Sequence, residues 1–130
     1  MKLLVSILIA LAIYCTGYSQ TKIELKDISS HIGDSVEVQG TIFGIRYFEN
    51  AKNAPILINV GAAYPNQLLT IVVFDDVRKQ FKLSLDEKSA KGNIAWVTGK
   101  VELYKGKPQI VITTPEQLDI LIDTYIKKDQ

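Results

Sequence analysis

The chain has one cysteine and one histidine, and each shortage excludes a class of site. Cys15 lies near the N-terminus, so the remaining residues can form neither a disulfide framework nor a thiolate metal site. The spacing identifies no partner for His31, which favours a surface or turn histidine over a metal ligand or a catalytic base. We therefore expect no cofactor and no metal ion.

An excess of charge of one sign is also absent. The chain has 15 basic and 14 acidic residues, and loss of an N-terminal segment containing Lys2 would make the two counts equal. Proteins that bind polyanions mainly by neutralising phosphates are usually basic overall or carry a basic stripe. The balance argues against strong general binding of nucleic acid but leaves a local basic patch open.

The chain lacks a nucleophile elbow, a glycine-rich phosphate loop and a histidine pair. Its nearest candidate for a catalytic cluster is Asp75-Asp76 with Arg78, since a metal-dependent nuclease needs grouped carboxylates and arginines. Adjacent carboxylates at a helix start are more often helix caps. We predict a protein without enzymatic activity.

The longest apolar run is Leu3–Ile13, which follows Lys2 and precedes the small residues of Gly17-Tyr18-Ser19. This pattern predicts a cleaved secretory signal peptide over residues 1–19. The run is shorter than the roughly 20 residues of a membrane-spanning helix. We expect an exported protein, periplasmic or secreted, with no membrane span after cleavage and one domain over residues 20–130.

A lipoprotein anchor at Cys15 is the alternative at this terminus. The residue before it is Tyr14, whereas lipoprotein processing requires Gly or Ala there. We therefore disfavour a lipid anchor.

A long strand is predicted over Ser35–Phe48, with Val36, Val38 and Ile42 on one face. Gly40 and Gly44 interrupt it where a strand can bend or bulge. Such a strand can belong to both sheets of a small barrel.

Two strands and a short helix follow. Residues 56–60 alternate. Residues 68–74 are almost continuously apolar, which predicts either burial on both faces or one face covered by a helix. Asp75 or Asp76 can cap a helix that buries Val77 and Phe81. Residues 84–92 are predicted to be a solvated connection.

The stretch from Asn93 to Ile112 predicts a β-hairpin. Its first strand alternates, and the turn Lys105-Gly106-Lys107-Pro108 offers a glycine able to take positive φ. The residues predicted to face inward are Ala95, Val97, Gly99, Val101, Leu103, Ile110 and Ile112.

After the hairpin, Thr114-Pro115-Glu116-Gln117 has a hydroxyl cap, proline at the first helical position and Gln three residues after the cap. Two continuations stay open. One is a terminal helix with Leu118 and Tyr125 on its apolar face, and the other is a single turn followed by a strand through Ile120–Ile126.

Five strands, with a short helix between the third and fourth, predict an all-β fold, the five-stranded OB-fold Greek-key barrel. Residues Gly33–Leu118 resemble the small OB-fold domains of the tRNA-anticodon-binding-like group found in bacterial secreted proteins. The motifs that carry this resemblance are Thr98-Gly99-Lys100, Tyr104-Lys105-Gly106-Lys107-Pro108-Gln109-Ile110 and Tyr64-Pro65-Asn66-Gln67.

The resemblance implies a ligand groove across the second and third strands, between the loop after strand one and the loop joining strands four and five. Aromatic rings beside cations suit single-stranded DNA or RNA, because bases stack on rings while cations contact the backbone. The candidate residues are Arg46, Tyr47, Phe48, Lys52, Asn53, Asn59, Tyr104, Lys105 and Lys107.

Other interpretations remain open. Tyr47 and Phe48 would otherwise close the barrel end, and the lysines would keep a turn soluble. Trp96 points away from the core face, and packing under the Asp75–Phe81 helix or the C-terminal segment is favoured over ligand stacking. The alternative function is an accessory module, periplasmic or at the cell surface, that binds a protein of the envelope or an oligosaccharide.

Overall fold

The computed structural model describes residues 20–82, 85 and 90–121. The predicted signal peptide, residues 122–130 and most of the predicted connection over residues 84–92 lie outside this part of the chain. The strands are β1 (Thr21–Lys22), β2 (Ser35–Tyr47), β3 (Ile56–Val60), β4 (Leu69–Val73), β5 (Ile94–Lys100), β6 (Glu102–Tyr104), β7 (Lys107–Ile112) and β8 (Leu118–Leu121). A short α-helix spans Asp75–Arg78, and 3₁₀ helices span Leu25–His31 and Pro115–Gln117.

Strand β2 belongs to both halves of the sheet, as its glycines predict. Residues 35–41 pair with β5, and residues 42–47 pair with β3, with a register shift between Ile42 and Gly44. At Gly40, an added Cβ would lie 2.6 Å from Leu25 Cδ2 and 2.7 Å from Val60 Cγ1. A larger residue at position 40 would therefore force the Leu25 or Val60 side chain to shift where β2 passes them.

The strand order is β6-β7-β4-β3-β2-β5-β8, and β1 pairs with β2 outside this path. Strands β4 and β7 are parallel, and the short α-helix lies between β4 and β5 in sequence. The five strands β2, β3, β4, β5 and β7 thus have the OB-fold arrangement, which confirms the predicted fold class. Among the described strands the hydrogen-bonded path does not close, although β5 and β7 contact each other.

The predicted hairpin is wrong in one respect, because its first strand is two strands. The chain bends at Val101, whose backbone exchanges hydrogen bonds with residues 33 and 34. Strand β5 ends before this bend, and β6 leaves the barrel to pair with β7 alone. Leu103, predicted to face inward, is therefore 57% exposed. The turn itself forms as expected, between Tyr104 and Lys107.

The C-terminal helix-start motif forms a capping box between Thr114 and Gln117, but the helix has only three residues. Strand β8 follows at once and pairs with β5. Up to Leu121 the structure therefore agrees with the turn-and-strand alternative and not with a terminal helix.

One apolar core fills the barrel, formed mainly by the inward residues of β2, β3, β4, β5 and β7. Its most fully buried large side chains are Ile28, Ile42, Ile58, Leu69, Ile71, Ile110 and Ile112. Val77 of the short α-helix packs on this core as predicted. Partly buried Phe81 also packs against the core, but it lies outside the helix, which ends at Arg78 and is therefore shorter than predicted. Within the described residues, no helix has the length and apolar character needed to cross a membrane.

Candidate functional site

The outer face of β3 and β4 forms the floor of an open groove with a volume of about 710 Å³. Leu57 and Val72 are direct neighbours across the two strands, and Asn59 and Thr70 form the next pair. All four line the groove, because they alternate with residues that point into the core. The floor therefore has an apolar half and a polar half.

Aromatic residues border the apolar half of the groove. Phe48 follows β2, Phe74 follows β4, and both line the groove beside Leu57 and Val72. The guanidinium of Arg46 lies 5.0 Å from the centroid of the Phe48 ring, a distance typical of a cation–π contact. This end thus offers an aromatic ring with a cation above it.

The opposite end is formed by the β3–β4 loop and the β6–β7 turn. Tyr64 and Tyr104 are 65% and 58% exposed, and Lys105 Nζ lies 5.4 Å from the Tyr104 ring centroid. Lys107 donates a hydrogen bond to the carbonyl oxygen of Pro65. Two exposed rings and two lysines therefore face the polar half of the floor.

The β6–β7 turn is built by Lys105 and Gly106, with φ angles of 49° and 78°. Two consecutive residues with positive φ are characteristic of the tight turns whose twist matches a β-hairpin. The turn places the side chains of Tyr104, Lys105 and Lys107 at the groove.

The described lining of the groove contains three cations, Arg46, Lys105 and Lys107, and no carboxylate. The near-neutral chain thus has a local positive surface, lined also by aromatic rings. This combination can hold an anionic backbone and stack planar groups.

The groove brings together six residues of the sequence-derived set, namely Arg46, Phe48, Asn59, Tyr104, Lys105 and Lys107. Tyr47, Lys52 and Asn53 do not line it. Tyr47 lies on the other face of β2, with the Arg78 guanidinium 5.1 Å from its ring centroid. Lys52 is exposed in the β2–β3 turn.

Several lining residues were missed by the sequence analysis. Leu57 and Val72 were seen only as parts of apolar strands, although their alternation with core residues could have placed them on the outer face. Tyr64 and Gln67 were noted only as part of a motif, and nothing in the sequence shows that the β3–β4 loop folds beside the β6–β7 turn.

The cluster at Asp75 is occupied by interactions within the short helix. Asp75 accepts hydrogen bonds from Arg78 and pairs with Lys79 at 2.9 Å, and the Asp76 carboxylate accepts the Val77 backbone N–H. Hydrogen bonding to Lys79 and then to Arg78 lowers the pKa of Asp75. The described residues contain no group of three His, Cys, Asp or Glu side chains able to hold a metal ion.

Two other residues discussed from the sequence lie away from the groove. His31 Nδ1 lies 3.2 Å from the Asp34 carboxylate in the turn before β2. Trp96 is half-buried on β5, opposite Gln39 of β2 and Asp119 of β8, with Lys22 Nζ 5.3 Å from its ring centroid.

Comparisons with solved structures show the fold. The chain is similar to a structure of yeast Stn1 and Ten1 (9% identity, 81% of this chain and 64% of the other, TM-score 0.57). It is also similar to an aspartyl-tRNA synthetase from Entamoeba histolytica (16% identity, 84% and 23%, TM-score 0.51). A third match is the OBody AM1L10 bound to hen egg-white lysozyme (18% identity, 82% and 97%, TM-score 0.51).

The chain spans less than two thirds of the matched Stn1–Ten1 chain and about a quarter of the synthetase chain. No protein-family model matches the sequence, and no curated protein matches it. At these identities the solved structures establish a shared OB fold and do not identify a ligand. The residues of the groove are the evidence for a ligand.

Proposed function

We propose that this protein is a non-catalytic module that binds single-stranded nucleic acid in the groove over β3 and β4. The observation that carries the proposal is the lining itself, where three cations and four aromatic rings occur without a carboxylate among the described lining residues. Stacking of a base on an aromatic ring contributes about 1–3 kcal/mol. Cations beside the rings add phosphate contacts.

The position of the groove supports the same proposal. OB folds commonly bind oligonucleotides across the second and third barrel strands, here β3 and β4. The flanking loops are the one after the first barrel strand and the one before the last, here the β2–β3 turn and the segment between β5 and β7. The similar structures include an aspartyl-tRNA synthetase, which at 16% identity supports the fold and only suggests a ligand class. Because OB folds serve many functions, the groove residues carry the argument.

The absence of catalysis is part of the proposal. Asp75 and Asp76, the carboxylates nearest to a nuclease-like cluster, are engaged by Arg78, Lys79 and a backbone N–H. These contacts support a structural role at the helix start. Incubation with DNA and RNA in the presence of divalent ions should therefore leave both polymers intact.

Export is proposed on the N-terminal sequence alone. The pattern of Lys2, Leu3–Ile13 and the small residues before Gln20 supports a bacterial signal peptide. Expression with this segment and N-terminal sequencing of the product should show cleavage after Ser19. An uncleaved product retained in the cytoplasm would contradict the proposal of export.

A protein partner in the envelope is the second candidate, and one observation favours it. Exposed apolar side chains occur in the β3–β4 loop and in β6, namely Tyr64, Leu68, Leu103 and Tyr104. One similar structure is an OBody bound to lysozyme. An oligosaccharide would likewise stack on the exposed tyrosines.

A titration of the protein with a fluorescent single-stranded oligonucleotide at low and moderate salt separates these candidates. Nucleic-acid binding predicts an affinity that falls as salt rises. The absence of binding at low salt would reject the proposal and favour the second candidate.

A further inference from the structure

Asn59 is a polar residue with little exposure in the middle of the groove floor. It lies on β3, is 6% exposed and lines the groove. Asparagine is uncommon inside strands, and an amide shielded from water is unfavourable unless it forms hydrogen bonds. Within the described part of the chain, no group forms a hydrogen bond with this side chain. The fold therefore leaves the amide without a partner.

The Asn59 amide is accessible from the groove. Among the described residues, the one side-chain N or O atom that is both buried and unpaired is Gln67 Oε1, so the unpaired amide atoms of Asn59 retain accessible surface. The neighbour of Asn59 on β2 is Gly44. A Cβ built at Gly44 would meet only Asn59 Nδ2 among the described residues, at 3.9 Å. The space on the β2 side of the amide is therefore open.

The amide belongs to a row of uncharged residues that crosses the floor. Asn59 is paired with Gly44 on one side and Thr70 on the other, and Thr70 is paired with Gln109 of β7. Asn59, Thr70 and Gln109 all line the groove. The cations lie at its two sides, with Arg46 on β2 and the lysines at the β6–β7 turn. We therefore expect phosphates at the sides and bases over the row.

The edge of a nucleobase has the chemistry that the amide requires. Each base has a hydrogen-bond donor beside an acceptor, and proteins that bind single strands contact these edges. A primary amide offers the complementary pair, an N–H donor and a carbonyl acceptor. Thymine has an acceptor on both sides of its N3–H donor, so it can pair with the amide in either orientation. A half turn of the side chain therefore leaves the expected pairing unchanged.

We propose that Asn59 forms two hydrogen bonds with the edge of a nucleobase over the uncharged row and so selects hydrogen-bonding bases over rings that can only stack. This inference rests on the proposed nucleic-acid binding. The aromatic rings at the ends of the groove supply stacking and the cations contact phosphates, and neither interaction requires a polar base edge. Selection for that edge is therefore a property of the amide.

The test compares two single strands of about 12 nucleotides, a length within the range covered by one OB fold. One is oligo-dT, and in the other difluorotoluene replaces every thymine. Difluorotoluene has the shape of thymine but lacks its N–H donor and its carbonyl acceptors. Fluorescence anisotropy at neutral pH and low salt measures both affinities. The unaltered protein should bind oligo-dT about tenfold more tightly, the effect of one bidentate contact between an amide and a base.

The variant Asn59→Leu replaces the amide by a branched apolar group of similar size. The ratio of the two affinities should fall about tenfold in this variant. A difference in stacking between the two bases occurs in both proteins and cancels in the comparison. Asn50→Leu is the matched control, because Asn50 is an exposed asparagine of the β2–β3 turn that does not line the groove. It should keep the ratio of the unaltered protein.

The same ratio in Asn59→Leu as in the unaltered protein would overturn the inference and leave the proposed function intact, since oligo-dT would still bind. An equal fall in Asn50→Leu would also overturn it. If Asn59→Leu does not fold, the unaltered protein decides, because a ratio near one overturns the inference and a tenfold preference for oligo-dT supports it. If neither strand binds at low salt, the proposed function and this inference both fail.

Discussion

The Lys107 ammonium group donates a hydrogen bond to the backbone carbonyl of Pro65, which lies 42 residues earlier in the sequence. The contact joins the β6–β7 turn to the β3–β4 loop and holds the two sides of the groove at one end. A lysine ammonium has three donors. Lys107 can therefore fix the loop and still contact a phosphate.

Replacement of Tyr104 by alanine should weaken oligonucleotide binding by about 1–3 kcal/mol, because an exposed stacking surface is lost. The free energy of unfolding should change little, since the ring is 58% exposed. Fluorescence anisotropy and urea denaturation measure the two quantities. The control is Tyr47→Ala, which removes a 46% exposed ring outside the groove and should leave binding unchanged. Equal losses in both variants would contradict this placement.

Gly99→Ala should destabilise the protein by about 1–3 kcal/mol, the usual effect of overpacking a core. An added Cβ would lie 2.7 Å from Ile110 Cγ2 and 3.0 Å from Gln117 Nε2, and Ile110 is fully buried. Gly44→Ala is the matched control, because there the nearest atom is Asn59 Nδ2 at 3.9 Å. Urea denaturation of both variants gives the comparison. A Gly99 variant as stable as the Gly44 variant would show that β5 and β7 are not packed this closely.

Stability should fall at acid pH partly through Asp75. Hydrogen bonds from Lys79 and Arg78 hold its folded pKa below the ordinary aspartate value of 3.8. Its contribution to stability is therefore complete above that value and is lost as pH falls through the folded pKa. Asp75→Asn should therefore reduce stability at neutral pH, and the difference from the unaltered protein should shrink below pH 3.8. The effect should be small because the group is solvent-accessible. The measurement is the urea midpoint of the unaltered protein and of Asp75→Asn at neutral pH and below pH 3.8. The same difference between the two midpoints at both pH values would contradict the role of the carboxylate.

The sequence was most informative where local pattern and final position agree. The glycines of β2 predicted a strand shared by two halves of a barrel, and the alternation from Ala95 to Gly99 predicted the buried face of β5. Prediction failed at Leu103, because backbone hydrogen bonds from Val101 to the turn before β2 end the strand there. A tertiary contact of this kind leaves no trace in the periodicity.

Only part of the groove was predictable, because some of its residues are placed by local sequence pattern and others by contacts between distant segments. The OB-fold order predicts that Arg46, Phe48, Asn59 and the β6–β7 turn lie at the groove. Tyr47 was predicted there too, but it lies between Arg46 and Phe48 in sequence, and strand alternation places its side chain on the other face of β2. Tyr64 and Gln67 enter the groove because the β3–β4 loop is tied to Lys107 by a contact distant in sequence. Such a contact is visible only in the folded chain.

The most direct test of nucleic-acid binding in the groove is the salt dependence of the affinity for a single-stranded oligonucleotide. Three cations in the groove predict a slope of log K against log salt of about −2, at roughly −0.7 per phosphate contact. Lys105→Ala with Lys107→Ala should reduce the slope to about −0.7. Lys52→Ala, which removes an exposed lysine outside the groove, should leave it unchanged. No binding at low salt, or the same slope in all three proteins, would contradict the account.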